Sequence, residues 1–283
     1  MNSTLSPLIE SSELLSILDS PNLILVDASG GPNTKSAFEK QHILGAQFID
    51  LETDLSSIKE NPANGGRHPL PPVEQFAETL SNFGITSDSH IVIYDSNFGA
   101  NSATRFWWML KAVGHEKVQV LNGGFQAAIS AGLPLSSQNN QNLKVMTYPV
   151  SDWKLPTVTL NDVSEASKSS EHVIIDVRAA ERFNGIIEPI DLIAGHIPGA
   201  INIPLNINLD SDGFFLPKDK LNSLYQDHLK NVPEKNVIVH CGSGVTACHT
   251  IFALTYAGFE IPNLYIGSWS EWSRNEKPIA KNV

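Results

Sequence analysis

Apolar and polar positions along the chain form a pattern that occurs twice. Residues 23–28 read Leu-Ile-Leu-Val-Asp-Ala and residues 172–177 read His-Val-Ile-Ile-Asp-Val. Each is a short apolar, β-branched run ending at an Asp, the pattern of a buried parallel strand with a polar residue at its carboxyl end. His42-Ile43-Leu44-Gly45-Ala46 is matched by His196-Ile197-Pro198-Gly199-Ala200, and Ile91-Val92-Ile93-Tyr94-Asp95 by Val237-Ile238-Val239-His240-Cys241. Asn122-Gly123-Gly124-Phe125 is matched by Ile266-Gly267-Ser268-Trp269. The landmarks keep their order, and their separations drift by a few residues, as loop insertions make them drift. Between these strands the spacing turns helical: Phe106, Met109, Leu110 and Val113 share one face over 102–113, and a second helix is expected over 246–257. Alternation of this kind predicts an α/β fold of two tandem domains, each a mainly parallel sheet with helices on both faces. Ligands of such sheets bind at the carboxyl ends of the strands.

Ser136-Ser137-Gln138-Asn139-Asn140-Gln141-Asn142 is polar and aperiodic and reads as the start of a linker. The expected organisation is a first domain over 1–138, a linker over 139–154 and a second domain over 155–283. A length of 283 residues suits two domains of ~100–200 residues each. With 41% hydrophobic and 17% charged residues, the chain is a globule that needs no disulfide or metal staple. The net charge of −11 and a pI of about 5.2 disfavour nucleic acid and anionic membrane surfaces as partners. No apolar run approaches the ~18–20 residues of a membrane span. The first residues, MNSTLSPLIESSELL, carry neither a basic n-region nor an apolar h-region, so no secretory signal is expected. The two cysteines, Cys241 and Cys248, suggest a reducing, cytoplasmic compartment.

Both cysteines lie in the second copy, and one stands where chemistry is expected. Cys241 directly follows an apolar strand and precedes Gly242-Ser243-Gly244-Val245-Thr246, with a helix to follow. Gly242 and Gly244 permit positive φ, so backbone N–H groups are able to turn inward around the sulfur. N–H groups at a helix start favour negative charge, and so a thiolate. A phosphatase would want an Arg six residues after the Cys, where Ala247 stands; a disulfide oxidoreductase would want Cys-x-x-Cys, whereas Cys248 is seven residues on. Sulfur transfer, with the thiolate storing a sulfur atom as a persulfide, fits the pattern. Asp95 holds the equivalent position in the first copy and cannot store sulfur, so that copy is expected to be catalytically silent.

At these residues the chain resembles the tandem-domain rhodanese family of thiosulfate and 3-mercaptopyruvate sulfurtransferases. The resemblance rests on the loop 241–246, on Phe38–Ala46, and on Tyr265-Ile266-Gly267-Ser268-Trp269-Ser270-Glu271-Trp272, and it spans about residues 10–280. It implies two rhodanese-like domains and a catalytic Cys241. The loop looks like that of the mercaptopyruvate branch, which usually places two arginines ahead of the second His-Ile-Pro-Gly. Arg182 matches the first; Ile190 falls where the second is expected.

The roles that follow are expectations. Ser243 hydrogen-bonds the substrate carbonyl or relays a proton, and Arg182 binds a carboxylate or sulfonate with its planar fork. Gly242, Gly244 and Val245 shape the substrate-binding loop, and Thr246 caps the following helix. Arg178 makes a structural salt bridge. His42, Arg67, His68, Asp95 and Arg105 are candidates for a cleft between the domains, Arg67 or Arg105 replacing the absent second arginine, and Asp95 pairing with a cation. No metal or cofactor is expected. The donor is a small sulfur-bearing anion, 3-mercaptopyruvate or alternatively thiosulfate; the acceptor is cyanide, a thiol or a thioredoxin-like protein. A persulfide carrier module serving a protein partner is the remaining alternative.

Overall fold

A computed structural model describes residues 5–138, 147–229 and 232–282. Of the expected linker, residues 139–146 lie outside the described residues. The chain divides into two compact units. The first comprises Met1–Ser56, Pro71–Lys154 and Asp212–Phe214; the second comprises Ser57–Leu70, Leu155–Ser211 and Phe215–Val283.

In the first unit the strands are β1 (Leu8–Ile9), β2 (Leu23–Asp27), β3 (His42–Ile43), β4 (Gln47–Phe48), β5 (His90–Tyr94), β6 (Val118–Leu121) and β7 (Leu135–Ser136). The helices are α1 (Ser11–Ile17), α2 (Thr34–Lys40), α3 (Val73–Asn82), α4 (Ser102–Ala112) and α5 (Gly124–Ser130). Five strands form a sheet in the order β1-β6-β5-β2-β4, every pair parallel, while β3 and β7 make a small antiparallel pair. The apolar runs seen in the sequence are its centre: Leu25, Val92, Tyr94 and Leu121 pack with Ile9, Phe38 and Ile43. Complete burial of such side chains is worth ~1.5–3 kcal/mol each.

The second unit contains α6 (Leu160–Ala166), β8 (Val173–Asp176), α7 (Ala180–Asn184), β9 (Ile201–Asn202), α8 (Lys218–Leu229), β10 (Val237–His240), α9 (Ala247–Ala257), β11 (Asn263–Leu264) and α10 (Ser268–Trp272). Its sheet runs β11-β10-β8-β9, again all parallel. In register, His240 of β10 lies beside Asp176 of β8. Both central strands therefore deliver polar side chains at one end of the sheet, where the topology of parallel sheets places ligands. Tyr265, Trp269 and Trp272, fully buried, fill the core between Val163, Ile174 and Ile238. Among the described residues no helix is long and apolar enough to cross a membrane.

Segment 57–70 differs from its reading by chain order. That reading put it in the first domain, over 1–138, whereas it packs with the second unit. The cause is a close backbone approach at Gly66, which has φ +84° and where a Cβ would come within 2.5 Å of the Gly267 carbonyl oxygen. Gly65 N–H donates to Glu271 Oε1 (2.8 Å), Arg67 N–H to Ser270 Oγ (3.1 Å), and Asn275 Nδ2 to the Ala63 carbonyl (2.8 Å). No side chain fits at such an approach, so glycine is required there.

Candidate active site

Strand β10 is buried along its whole length and ends at His240, so Cys241 emerges at the carboxyl edge of the sheet, 1% exposed. The loop after it turns through Gly244, at φ +75°, where a Cβ would sit 2.5 Å from the Ile266 carbonyl oxygen. Gly244 N–H donates to Cys241 Sγ at 3.2 Å. The turn at 265–270 props the loop from below. Ser268 Oγ accepts from Cys241 N–H (3.2 Å) and donates to the Tyr265 carbonyl (2.8 Å), and the N–H groups of Trp269 and Ser270 donate to the carbonyls of Cys241 and Gly242 (3.0 and 2.8 Å). Ser268 adopts φ 53°, which a serine takes only when its surroundings hold it there.

Two expectations for this loop are corrected. Gly242 is not at positive φ; it is small because a Cβ there would lie 3.0 Å from Arg67 Nη2 and 3.5 Å from both Arg182 Nη2 and Asp191 Oδ2. Thr246 occupies the N-cap position of α9 but has helical dihedrals (φ −71°, ψ −13°) and makes no side-chain capping bond. Val245 is buried, as suits a loop-shaping residue.

Around the loop runs a chain of alternating charges. Asp176 accepts from Arg178 Nη2 at 2.6 Å and from its Nε; Arg178 Nη1 donates to Glu188 Oε2 (3.1 Å). Arg182 Nη2 donates to Glu188 Oε1 (2.7 Å) and to Asp191 Oδ2 (3.2 Å). Asp191 also receives Arg67 Nε (3.1 Å) and Arg274 Nη1 (3.2 Å). The Arg178 guanidinium lies 4.4 Å over the Trp269 ring, which fixes it further. The side chains of Asp176 and Asp191 are wholly buried and that of Glu188 is nearly so (0%, 0% and 3% exposed). Buried charges persist only when paired and hydrogen-bonded. Four guanidinium groups meet three carboxylates here, leaving one positive charge in excess on a chain whose net charge is −11.

Burial acts to raise the pKa of Asp176, and the coulombic pull of His240 and Arg178 overturns it, holding the carboxyl below its ordinary value. Burial likewise opposes ionisation of Glu188, and its hydrogen bonds from Arg182, Asp191 and Ile190 reverse the effect. His240 Nε2 is 3.7 Å from Asp176 Oδ2, but burial depresses its pKa more than the carboxylate raises it. The two groups titrate as a coupled buried pair, to which Arg178 adds a fixed charge that also favours the Asp176 carboxylate.

Ser243 Oγ and His68 Nδ1 lie 2.8 Å apart. Arg67 and His68, expected to approach from the other domain, belong to the second unit with the cysteine loop. Sequence reasoning singled out Arg182 but not its buried partners Glu188 and Asp191, nor Arg274. A cavity of about 510 Å³ opens beside the loop, lined by Arg178, Arg182, Asn206 and Thr246 among others.

The other candidates belong to the first unit. His42 is completely buried; its Nδ1 is 2.6 Å from the Phe38 carbonyl oxygen and its ring stacks on Phe38 at 3.9 Å, so it is a structural histidine of the first unit. Arg105 is fully buried on α4. Asp95 pairs with no cation among its described contacts. Its Oδ1 accepts from the N–H groups of Asn97 and Gly99 (2.8 Å each) and its Oδ2 from those of Asn101 and Ala103 (3.1 and 3.3 Å). Burial pushes its pKa up against the pull of these four amides.

A buried cysteine on a strand-to-helix loop, with arginines beside it, points to a class of sulfur-handling α/β enzymes, and comparison with known proteins agrees. The rhodanese-like domain model matches twice, over residues 10–131 and 159–275. A protein of Pseudomonas aeruginosa named "Probable 3-mercaptopyruvate sulfurtransferase" is 38% identical over 283 residues, 96% of this chain and 97% of that one. The thiosulfate sulfurtransferase of Mus musculus is 33% identical over 268 residues, 91% of this chain and 87% of that one. The crystal structure of SseA from Escherichia coli, described as a 3-mercaptopyruvate sulfotransferase, superposes with a TM-score of 0.78 at 31% identity, covering 94% of this chain and all of that one. The chain belongs to the rhodanese-like family and is a sulfurtransferase with two rhodanese-like domains.

Proposed function

We propose that this enzyme takes sulfur from 3-mercaptopyruvate onto Cys241 and passes it to a thiol or to cyanide. The Cys241 thiolate attacks the donor's sulfur, forming an S–S bond as the donor's C–S bond breaks. The bonding electrons pass into the carbonyl system as an enolate, which takes a proton at carbon and leaves as pyruvate. In the second half an acceptor nucleophile removes the outer sulfur and regenerates the thiolate, a ping-pong cycle. The Ser243–His68 pair is placed to hydrogen-bond the donor's carbonyl oxygen and to supply the proton.

The observation that carries this reading is the pair of guanidinium edges facing Gly242. Arg182 supplies one and Arg67 the other, so Arg67 takes the part that Ile190 cannot play. The Nε and Nη2 groups of both arginines already donate to Asp191 or Glu188, so a donor carboxylate would meet their remaining N–H groups. They also suit a sulfonate, and the absence of an arginine at 190 together with the resemblance to thiosulfate sulfurtransferases favours thiosulfate as the second reading. Both cysteines are free, which fits a reducing, cytoplasmic setting. Incubation with each donor followed by intact-mass measurement is the test. One added sulfur is expected on the wild-type chain and none on Cys241→Ser; equal loading of the two would overturn the proposal, and the ratio of kcat/KM for the two donors decides between them.

A further inference from the structure

Asp27 and Asp176 hold matching places in the two units. Each ends a central strand and lies in register beside the last residue of the next one, Tyr94 and His240. Each accepts the N–H of the residue two positions on, Ser29 at 2.9 Å and Arg178 at 3.0 Å. Phe125 and Trp269 match in the same way: their N–H groups donate to the carbonyls of Asp95 and Cys241, at 2.9 and 3.0 Å. His42 stacks on Phe38 at 3.9 Å and His196 on Phe183 at 3.7 Å, so the residues just before them, Gln41 and Gly195, are also counterparts.

The side chains at these places differ in one respect. In the second unit the Arg178 guanidinium fills the space between them. It is bidentate on Asp176, donates to the Gly195 carbonyl at 2.7 Å and lies 4.4 Å over the Trp269 ring. In the first unit the counterpart of Arg178 is Ser29, and a cavity of about 280 Å³ is lined by Asp27, Ser29, Gln41 and Phe125 among others. The carboxylate and the aromatic ring are retained; the cation between them is not. Asp27 is 5% exposed and makes no ion pair among the described residues. Lys40, the cation of the cavity wall, is exposed and does not reach ion-pair distance of it. Burial, with Asp95 adding to it, holds the Asp27 pKa above its ordinary value. A buried carboxylate without a counter-ion is costly, and a bound cation relieves that cost.

We propose that this cavity binds a small guanidinium or amidinium compound, its planar fork on Asp27 and its face on Phe125, as Arg178 sits between Asp176 and Trp269. A planar cation with paired N–H groups matches a carboxylate bidentately and stacks on a ring, whereas an ammonium brings a point charge without the plane. The volume falls just below the ~300 Å³ at which pockets for drug-sized ligands begin, so the ligand is a cation with a short tail. The residues that build the site all belong to the first unit, and the inference does not rest on the persulfide reading. It gives the unit without a catalytic cysteine a ligand of its own, opposite in charge to the sulfur donor.

The test uses the full chain with methylguanidinium as the probe and methylurea as its neutral isostere. Amide resonances of the wild type are followed through each titration, and affinity is measured by calorimetry. Expected are one methylguanidinium bound per chain, shifts centred on Ser29 and Ser96 in the cavity wall, and no binding of methylurea. Asp27→Asn removes the charge, and Ser29→Arg fills the cavity with the chain's own guanidinium while keeping the carboxylate. Each is expected to weaken binding by about tenfold or more. Should a variant fail to fold, the wild-type shifts decide. No shift at Ser29 or Ser96, shifts confined to the second unit, unchanged affinity in either folded variant, or methylurea binding as tightly as methylguanidinium would each overturn the site.

Discussion

The turns that follow β5 and β10 share one construction and hold opposite contents. After β5, four backbone N–H groups converge on the Asp95 carboxylate, so the first unit fills its anion cradle with its own side chain. After β10, Gly244 N–H meets the Cys241 sulfur, and the edges of Arg67 and Arg182 stand over Gly242. Every described partner of the Asp95 carboxylate is an amide. The difference shows what a cradle of amides does alone and what the arginines add. Amides favour an anion that is already in place; an excess guanidinium charge draws one in from solvent.

The sharpest way to break this comparison is Asp95→Cys, which puts a thiol in the amide-rich turn without the arginine bracket. The expected mass after donor treatment is one sulfur per chain, as in wild type; two would show that the turn alone suffices. Next comes Arg182→Ala. Losing a charge-assisted hydrogen bond worth ~1.5–3 kcal/mol lowers kcat/KM for the donor by on the order of 10–100-fold. Arg67→Ala follows the same course, while transfer of preloaded sulfur to cyanide stays near wild type. Comparable losses on loading and on transfer would mean that the arginines hold up the loop rather than bind the donor.

The smallest expected effect is in acid. Asp176 and Glu188 have depressed pKa values in the folded chain, so their stabilisation is complete above the unfolded values near ~4 and is lost as the pH falls below them. Asp27 and Asp95 have raised values, chiefly through burial, so their burden on the first unit is relieved as the pH falls through those values. Peptide-resolved hydrogen exchange between pH 5 and 3 is expected to show protection falling first around β8 and 178–191 while β2 and β5 hold. The reverse order would contradict the assignment of charge in both turns.

The fold was legible because strand runs are local. Leu23–Asp27, Val173–Asp176 and Val237–His240 carry their signal in a few adjacent letters, and so does the cysteine turn. Arg67 and His68 were named only as candidates for a cleft between domains; their place beside the cysteine loop, like that of Arg274, was hidden for a physical reason. Arg67 and Arg274 reach Asp191 across 124 and 83 residues, and no periodicity encodes such a meeting. His42 drew notice because it opens a recognisable motif, yet it is the stacked core residue; His68, the neighbour of Ser243, sits in a Pro-rich loop with no motif of its own. The readable clue was the doublet Gly65-Gly66 just before it, both at positive φ. Two such glycines in a row announce a tight approach of backbone to something.

That approach has a consequence for anyone redesigning the enzyme. Because Gly66 rests on Gly267, any side chain at 66 would lift the strap that carries Arg67 and His68, so one change would displace together the two residues proposed to clamp the donor and relay its proton. Libraries aimed at new sulfur donors should hold positions 65–66 constant and place their diversity at Ile190 and along 58–61, which are exposed.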